Sequence, residues 1–62
     1  MTPRQANRIM QALELAEDAA VLARGLANDA SQDHVYSELT KAHGHIAAAS
    51  KKLAKSVREM DS

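Results

Sequence analysis

The chain has 62 residues, and Tyr36 is its only Phe, Tyr or Trp residue; it contains no cysteine. A chain of this length forms at most one domain with a small core, and it has no disulfide or zinc–thiolate site to stabilise that core. Eight basic and eight acidic side chains give a net charge of zero, which excludes the strongly basic balance of a typical nucleic-acid-binding domain. Oligomerisation remains as the route to a stable fold.

Two segments bear on secretion and membrane insertion. Residues 1–5 lack the apolar core of a secretory leader. Residues 12–27 are rich in alanine and leucine, but four charged side chains interrupt them, which is incompatible with a transmembrane span. Together with the absence of cysteine, these features predict a cytoplasmic chain, and the start at Met1 predicts a complete small gene product.

Residues 3–27 carry the pattern of a first α-helix. Thr2 is predicted as its N-cap, Pro3 as its first helical residue and Gln5 as the reciprocal partner in a capping box. Apolar residues then recur at spacings of three and four, which is typical of a helix face packed on another helix. This first seam consists of Ile9, Leu13, Ala16, Ala20, Ala23 and Ala27.

A second apolar stripe lies beside that seam on the same helix. It consists of Ala12, Leu15, Ala19, Leu22 and Leu26. The seam and the stripe together cover about half of the helix circumference, which is too wide for contact with a single partner helix. The first helix is therefore expected to pack against more than one neighbour.

Residues 28–33 are predicted to form a turn, although they contain no glycine or proline. One uninterrupted helix is the alternative, but its seam would place His34, Ser37 and Lys41 on the buried stripe. Asn28 is expected to adopt a left-handed conformation at the end of the first helix. The residues expected to cap the second helix are Asp29, Ser31 or Asp33.

Residues 34–60 are predicted to form the second helix, so the fold class is an all-α antiparallel hairpin in a single domain over residues 1–62. With the turn centred near residue 31, residues that face each other have numbers summing to about 62. The seam of this helix is Val35, Leu39, Ala42, Ile46, Ala49, Leu53, Ser56 and Met60. The stripe beside it is Tyr36, Ala47, Ala54 and Val57.

The two stripes predict that the hairpin pairs with a second copy of itself. Two hairpins that bury the stripes against each other form a four-helix bundle, and two-fold symmetry is the commonest arrangement of small oligomers. The predicted dimer interface consists of Ala12, Leu15, Ala19, Leu22, Leu26, Tyr36, Ala47, Ala54 and Val57.

Charge is divided between the two ends of the predicted hairpin. The open end, residues 1–13 with 48–62, has six basic and two acidic side chains, a net charge of +4. The turn end, residues 14–47, has two basic and six acidic side chains, a net charge of −4. Two hairpins therefore attract head to tail, with each turn beside the other open end, and this dimer is predicted. The alternative is that these are ordinary solvated helix faces.

The basic residues at the open end are also a candidate anion or nucleic-acid site. They are Arg4, Arg8, Lys51, Lys52, Lys55 and Arg58. Such a cluster can make several phosphate contacts, but it contains no aromatic side chain on which a base could stack. Binding of RNA or DNA is accordingly the second hypothesis for this chain.

The segment His43, Gly44 and His45 is the predicted contact for a partner protein. A glycine inside a helix costs about 1 kcal/mol relative to alanine, so Gly44 is either a tolerated defect or a place where a partner's backbone approaches. His43 and His45 point to different sides of the helix, with His45 expected to be exposed and His43 near the helix contact. His34 is expected in the first turn of the second helix.

No catalytic, cofactor or metal site is predicted. Two histidines that are two residues apart cannot chelate one ion, and the acidic residues Glu14, Glu17 and Asp18 have the pattern of a solvated patch without a buried base. The sequence therefore predicts a non-enzymatic protein-interaction module that acts as a homodimer on an unidentified protein partner. Regulators, adaptors or inhibitors of bacterial or phage type are the expected class. A nucleic-acid-binding dimer and a structural assembly component are the alternatives.

Overall fold

The computed structural model of the chain describes residues 1–60, which form two α-helices packed side by side in a hairpin. α1 spans Pro3–Asp29 and α2 spans Asp33–Met60. The Cα positions extend over 47 × 15 × 11 Å, the dimensions of a single layer of two rods. The predicted all-α hairpin is confirmed. Within these residues, neither helix has a stretch long and apolar enough to cross a bilayer. Asp61, which is counted in the charge of the open end, lies outside the described residues.

The start of α1 is stabilised by the predicted capping box. Thr2 Oγ1 accepts a hydrogen bond from the Gln5 backbone N–H at 3.1 Å, and Gln5 Oε1 accepts one from the Thr2 backbone N–H at 2.8 Å. Pro3 follows at the first helical position, where its missing N–H has no helical acceptor to lose. Two of the N–H groups that any helix start leaves unpaired are thus satisfied by side chains.

The turn between the helices is shorter than predicted and is built on a Schellman motif. Ser31 has a φ of 57°, the left-handed conformation that was predicted for Asn28. The Gln32 backbone N–H donates to Ala27 O at 2.9 Å, and the Ser31 N–H donates to Asn28 O at 3.1 Å. These two bonds are the pair that defines the motif. Because Asn28 and Asp29 remain helical, α1 ends at Asp29 and not at residue 27.

The start of α2 also differs from the prediction. α2 begins at Asp33, and the residue before it is Gln32, whose carbonyl accepts a hydrogen bond from the Tyr36 N–H at 2.9 Å. Gln32 therefore occupies the N-cap position that was predicted for Asp29, Ser31 or Asp33. Five polar residues lie in the six-residue stretch, and their similar turn propensities leave the position of the cap to the packing of the helices.

The seam of α1 lies in the helix contact, with one change at its N-terminal end. Leu13, Ala16 and Ala23 are half-buried there. Ile9 is exposed, and Ala6, one turn earlier, is buried in its place. Among residues 1–60, the buried residues are Ala6, Ala20, Ala27 and Leu53. Alanines along this seam allow the two helix backbones to approach closely.

The face of α2 that packs on α1 is rotated from the predicted one. Leu39, Ile46 and Leu53 lie in the contact as predicted. Five predicted seam residues are exposed: Val35, Ala42, Ala49, Ser56 and Met60. The residues that are half-buried on the other side of the contact are His43, Ala47, Ser50, Ala54 and Val57. The difference is a rotation of α2 by roughly 70°, about two thirds of the 100° between successive residues.

The rotation of α2 was not predicted, because hydropathy does not account for polar contacts between the two helices. Hydropathy ranks alanine above histidine for burial, so the sequence pattern selected Ala42 over His43. His43 is nevertheless half-buried, because it faces Arg24 and Glu17 on α1 and finds polar partners there. The rotation also places Val57 in the contact with α1 in place of Ser56.

Candidate functional site

The largest apolar side chains of α1 point away from α2. Leu15, Leu22 and Leu26 expose 71%, 65% and 60% of their surface. They lie on one side of the helix, because they are seven and four residues apart. Ala19, between Leu15 and Leu22, and Ala12, before Leu15, are also exposed. The α1 part of the predicted dimer interface is thus a continuous exposed stripe.

The α2 part of the predicted dimer interface lies elsewhere. Ala47, Ala54 and Val57 are half-buried in the contact with α1. Tyr36 is exposed, but its hydroxyl and ring contact Arg24. The structure therefore does not bring these four residues together with the leucines.

Other α2 residues extend the leucine stripe. When both helices are projected at about 100° per residue from their buried sides, Val35, Ala42 and Ala49 fall on the same side of the hairpin as the leucines. All three are exposed. We call this combined surface the leucine face, and it consists of Ala12, Leu15, Ala19, Leu22, Leu26, Val35, Ala42 and Ala49.

The opposite side of the hairpin carries a polar cluster centred on Arg24. The Arg24 guanidinium donates from Nη2 to Tyr36 Oη at 3.0 Å, and its carbon lies 5.2 Å from the centroid of the Tyr36 ring. Arg24 Nη1 lies 3.3 Å from His43 Nδ1, and His43 Nε2 lies 3.6 Å from Glu17 Oε1. We call these four residues, Glu17, Arg24, Tyr36 and His43, the arginine cluster.

The donors in this cluster determine the tautomer of His43. A guanidinium can only donate hydrogen bonds, so His43 Nδ1 accepts from Arg24. The proton of the neutral ring is then on Nε2, which faces the carboxylate of Glu17. Within residues 1–60, Arg24 Nε is buried and has no hydrogen-bond partner. The cluster is thus a cross-helix bridge that connects α1 to α2 through directional contacts.

Sequence reasoning missed the arginine cluster, although a usable signal was present. The numbers of Glu17 and His43, and those of Arg24 and Tyr36, each sum to 60, close to the value of about 62 expected for facing residues. A search that allowed sums from 60 to 62 would have included both pairs, although at 62 it also pairs Glu17 with His45 and Arg24 with Glu38. The hydrophobic pattern alone could not, because it treats all polar residues as solvent-facing.

The six basic residues of the candidate anion site share the open end of the hairpin. All of them are exposed: Arg4, Arg8, Lys51, Lys52, Lys55 and Arg58. The ion pairs among residues 1–60 are Lys41 with Glu38 at 3.2 Å and His43 with Glu17 at 3.6 Å. None of the six basic residues therefore has an ion-pair partner in that part of the chain.

The segment predicted to contact a partner does not present one outward surface. His43 points into the helix contact, whereas Gly44 and His45 are exposed. A Cβ atom built on Gly44 meets nothing within 4 Å among the described residues, and the same is true of Gly25. His34 lies in the first turn of α2 and His45 is exposed, both as predicted.

Pockets and metal-ligand clusters are absent from residues 1–60. The chain matches no protein-family model, no curated protein and no solved structure. The surfaces described above therefore carry the functional argument.

Proposed function

We propose that this chain is a non-enzymatic protein-interaction module that works as a homodimeric four-helix bundle. The observation that carries the proposal is the exposure of Leu15, Leu22 and Leu26, each with more than half of its surface accessible. Burying such a leucine side chain stabilises a protein by about 1.5–3 kcal/mol. A contiguous exposed apolar stripe marks an interaction site in most proteins.

The accessible surface of the chain supports pairing. The hairpin exposes 4904 Å², whereas a compact monomer of 6.7 kDa exposes about 3,900 Å². The excess of about 1,000 Å² is close to the roughly 800 Å² that each partner contributes to a standard interface. A second hairpin that covers the leucine face would bury an accessible surface of about this size.

The proposed activity is the binding of another protein by the surface that stays outside the bundle. In the dimer the leucine face is covered, while the arginine cluster and Gly44 remain accessible; His45, three residues after Ala42, borders the leucine face. A regulator, adaptor or inhibitor acts in this way, through helix faces and without chemistry. The head-to-tail arrangement of the two copies belongs to this proposal, supported by the opposite charges of the two ends of the hairpin.

Sedimentation equilibrium, combined with thermal melts followed by circular dichroism, tests the dimer. We expect a helical dimer whose Tm rises with protein concentration, because dissociation is coupled to unfolding. Weakening of the dimer by added salt would support the head-to-tail charge arrangement. A monomer at all concentrations, with a concentration-independent Tm, would contradict the proposal. A ladder of larger species would favour the structural assembly component instead.

The six exposed basic residues at the open end favour nucleic-acid binding as the second candidate function. Six exposed cations at one end match the footprint of a phosphate-binding surface. Fluorescence anisotropy with short RNA and DNA duplexes and single strands separates this function from protein binding. Binding that falls steeply with added salt would support it, and binding absent even at low salt would eliminate it.

A further inference from the structure

The exposed apolar residues of α1 have a symmetric spacing. Leu15 and Leu26 lie at equal distances in sequence from a point between residues 20 and 21, and so do Ala19 and Leu22. When two such helices pack antiparallel about that point, each Leu22 faces an Ala19 and each Leu15 faces a Leu26. Large side chains at the centre thus meet small ones, which is the condition for close helix packing.

The exposed apolar residues of α2 are symmetric in the same way. Val35 and Ala49 are each seven residues from Ala42, and all three are exposed. Two copies of α2 packed antiparallel about Ala42 would place Val35 against Ala49 and bring the two Ala42 residues together. Alanine at the centre again permits close approach.

The two centres lie at the same level of the hairpin. The contacts of Glu17 with His43 and of Arg24 with Tyr36 set the register between the helices. The contacts give facing residues a sum of 60 and the position of the turn gives about 62, so the point between residues 20 and 21 of α1 lies across from about residues 39–42 of α2. One axis can therefore pass through both centres, which is what a two-fold symmetric interface requires.

Resting on the dimer of the proposed function, we infer that the second copy docks on the leucine face head to tail. The two-fold axis crosses the face near residues 20–21 and Ala42. α1 packs on α1 of the second copy and α2 on its α2. Leu22 then contacts the partner's Ala19, Val35 contacts the partner's Ala49, and Ala42 contacts the partner's Ala42.

Charge favours this arrangement over its alternative. Head-to-tail docking places each basic end, with a net charge of +4, near the acidic turn end of the other copy, with a net charge of −4. A turn-to-turn dimer on the same face would instead place like charges together and would pack α1 against α2 of the other copy. The two arrangements thus differ in which residues meet, and cross-linking can measure this.

Engineered cysteines test the arrangement without interference, because the chain has no native cysteine. The first variant is Ala42→Cys, treated with a mild oxidant such as oxidised glutathione. We expect a disulfide-linked dimer, since the two Cα atoms at the axis come within the 4.4–6.8 Å that a disulfide spans. Neither Val35→Cys nor Ala49→Cys is expected to form a disulfide-linked dimer by itself. A mixture of the two variants is expected to form a disulfide-linked heterodimer, because Val35 lies against the partner's Ala49.

Ser37→Cys is the matched control, because Ser37 is exposed on the outer side of α2 and serine has nearly the same size as cysteine. Linkage of Ala42→Cys is expected to be at least about tenfold faster than linkage of Ser37→Cys, since the dimer raises the local thiol concentration. Equal rates at both positions would mean random collision and would overturn the inference. Circular dichroism of each variant verifies that the helices are intact.

Sedimentation of the same cysteine variants in their reduced form tests the dimer separately from the docking arrangement. A dimer in which Ala42→Cys does not cross-link overturns the head-to-tail docking and leaves the dimer standing. A monomer overturns both. A dimer in which the Val35 and Ala49 variants link only as a mixture supports the docking, because a turn-to-turn dimer separates these residues onto different helix pairs.

Discussion

Arg24 is a charged residue, yet it is half-buried and connects the two helices. Its guanidinium reaches the hydroxyl and ring of Tyr36 and the Nδ1 atom of His43. A lysine could not replace it, because a point charge on a flexible stem cannot direct hydrogen bonds to two acceptors with fixed geometry. The contacts are directional, whereas the alanine seam beneath them is not. Arg24 therefore contributes to the register of the hairpin as well as to its stability.

A double-mutant cycle measures the coupling between Arg24 and Tyr36. We expect Arg24→Ala and Tyr36→Ala to couple by about 0.5–1 kcal/mol, because the pair combines a hydrogen bond with a cation–π contact at a partly exposed site. Urea unfolding at one protein concentration provides the free energies. Tyr36→Phe is the control: it removes the acceptor oxygen and keeps the ring. Strictly additive effects of the two alanine variants would argue against the bridge.

At the scale of the helices and the turn, the sequence predicted those features that depend only on neighbouring residues. The capping box at Thr2 and Gln5 and the hairpin itself were predictable, because capping chemistry and apolar periodicity are written in neighbouring residues. The rotation of α2 was not predictable, since it depends on His43 finding Arg24 on the other helix. The prediction of which residue adopts the left-handed conformation was also wrong. Asn28 and Ser31 are both acceptable in that conformation, and only the packing of the helices distinguishes them.

The candidate site also combines features that one helix predicts with features that depend on how the two helices pack. The stripe at Leu15, Leu22 and Leu26 could be predicted from one helix alone, as could the clustering of basic residues at the open end. The α2 half of the leucine face could not be predicted, because it follows from the rotation. The arginine cluster required pairing residues across the hairpin, for which the periodicity of each helix holds no information.

The two glycines provide a matched test within the helices. Gly25 of α1 and Gly44 of α2 are helical, and a Cβ atom at either position meets open space within the described part of the chain. Each Gly→Ala variant is therefore expected to stabilise the protein by up to about 1 kcal/mol and to raise its Tm. Thermal melts at matched concentration measure this effect.

Binding distinguishes the two glycine positions. If Gly44 contacts the partner protein, Gly44→Ala would weaken that binding while still raising the Tm, and Gly25→Ala would leave binding unchanged. Equal binding by both variants would remove Gly44 from the candidate contact. A fall in Tm for either variant would show that the helix backbone is crowded there.

At the scale of the whole molecule, the hairpin is a single layer with different chemistry on its two sides. One side carries the leucine face, and the other carries the arginine cluster. Within residues 1–60, the contact between the helices buries Ala6, Ala20, Ala27 and Leu53, which is a small core. Globular domains are built from two or more layers for this reason, and a second hairpin would supply the missing layer.

Two adjacent residues of α1 provide a matched pair for testing whether the dimer interface is confined to the leucine face. Leu22 lies on the leucine face, whereas Val21 is exposed on the other side of the helix. Leu22→Glu is expected to raise the dimer dissociation constant by about 100-fold or more, because each symmetric interface loses two leucines and gains two carboxylates. Val21→Glu should leave it nearly unchanged.

Each new glutamate lies four residues after an acidic side chain, Asp18 or Glu17. The glutamate at position 21 is also three residues from both Asp18 and Arg24, so circular dichroism of both variants verifies that their helix content is equal. Sedimentation equilibrium gives both dissociation constants. An equal effect of the two variants would contradict an interface confined to the leucine face.

The smallness of the core has a consequence for how the amount of active protein depends on expression. When folding is completed only by pairing, the formation of active molecules is second order in chain concentration. A cell that halves its synthesis of such a chain loses more than half of the assembled form once the level falls below the dissociation constant. The unpaired chains are then open to proteases, which steepens the loss further. A hairpin of this kind would behave as a threshold device, active above a set abundance and rapidly cleared below it.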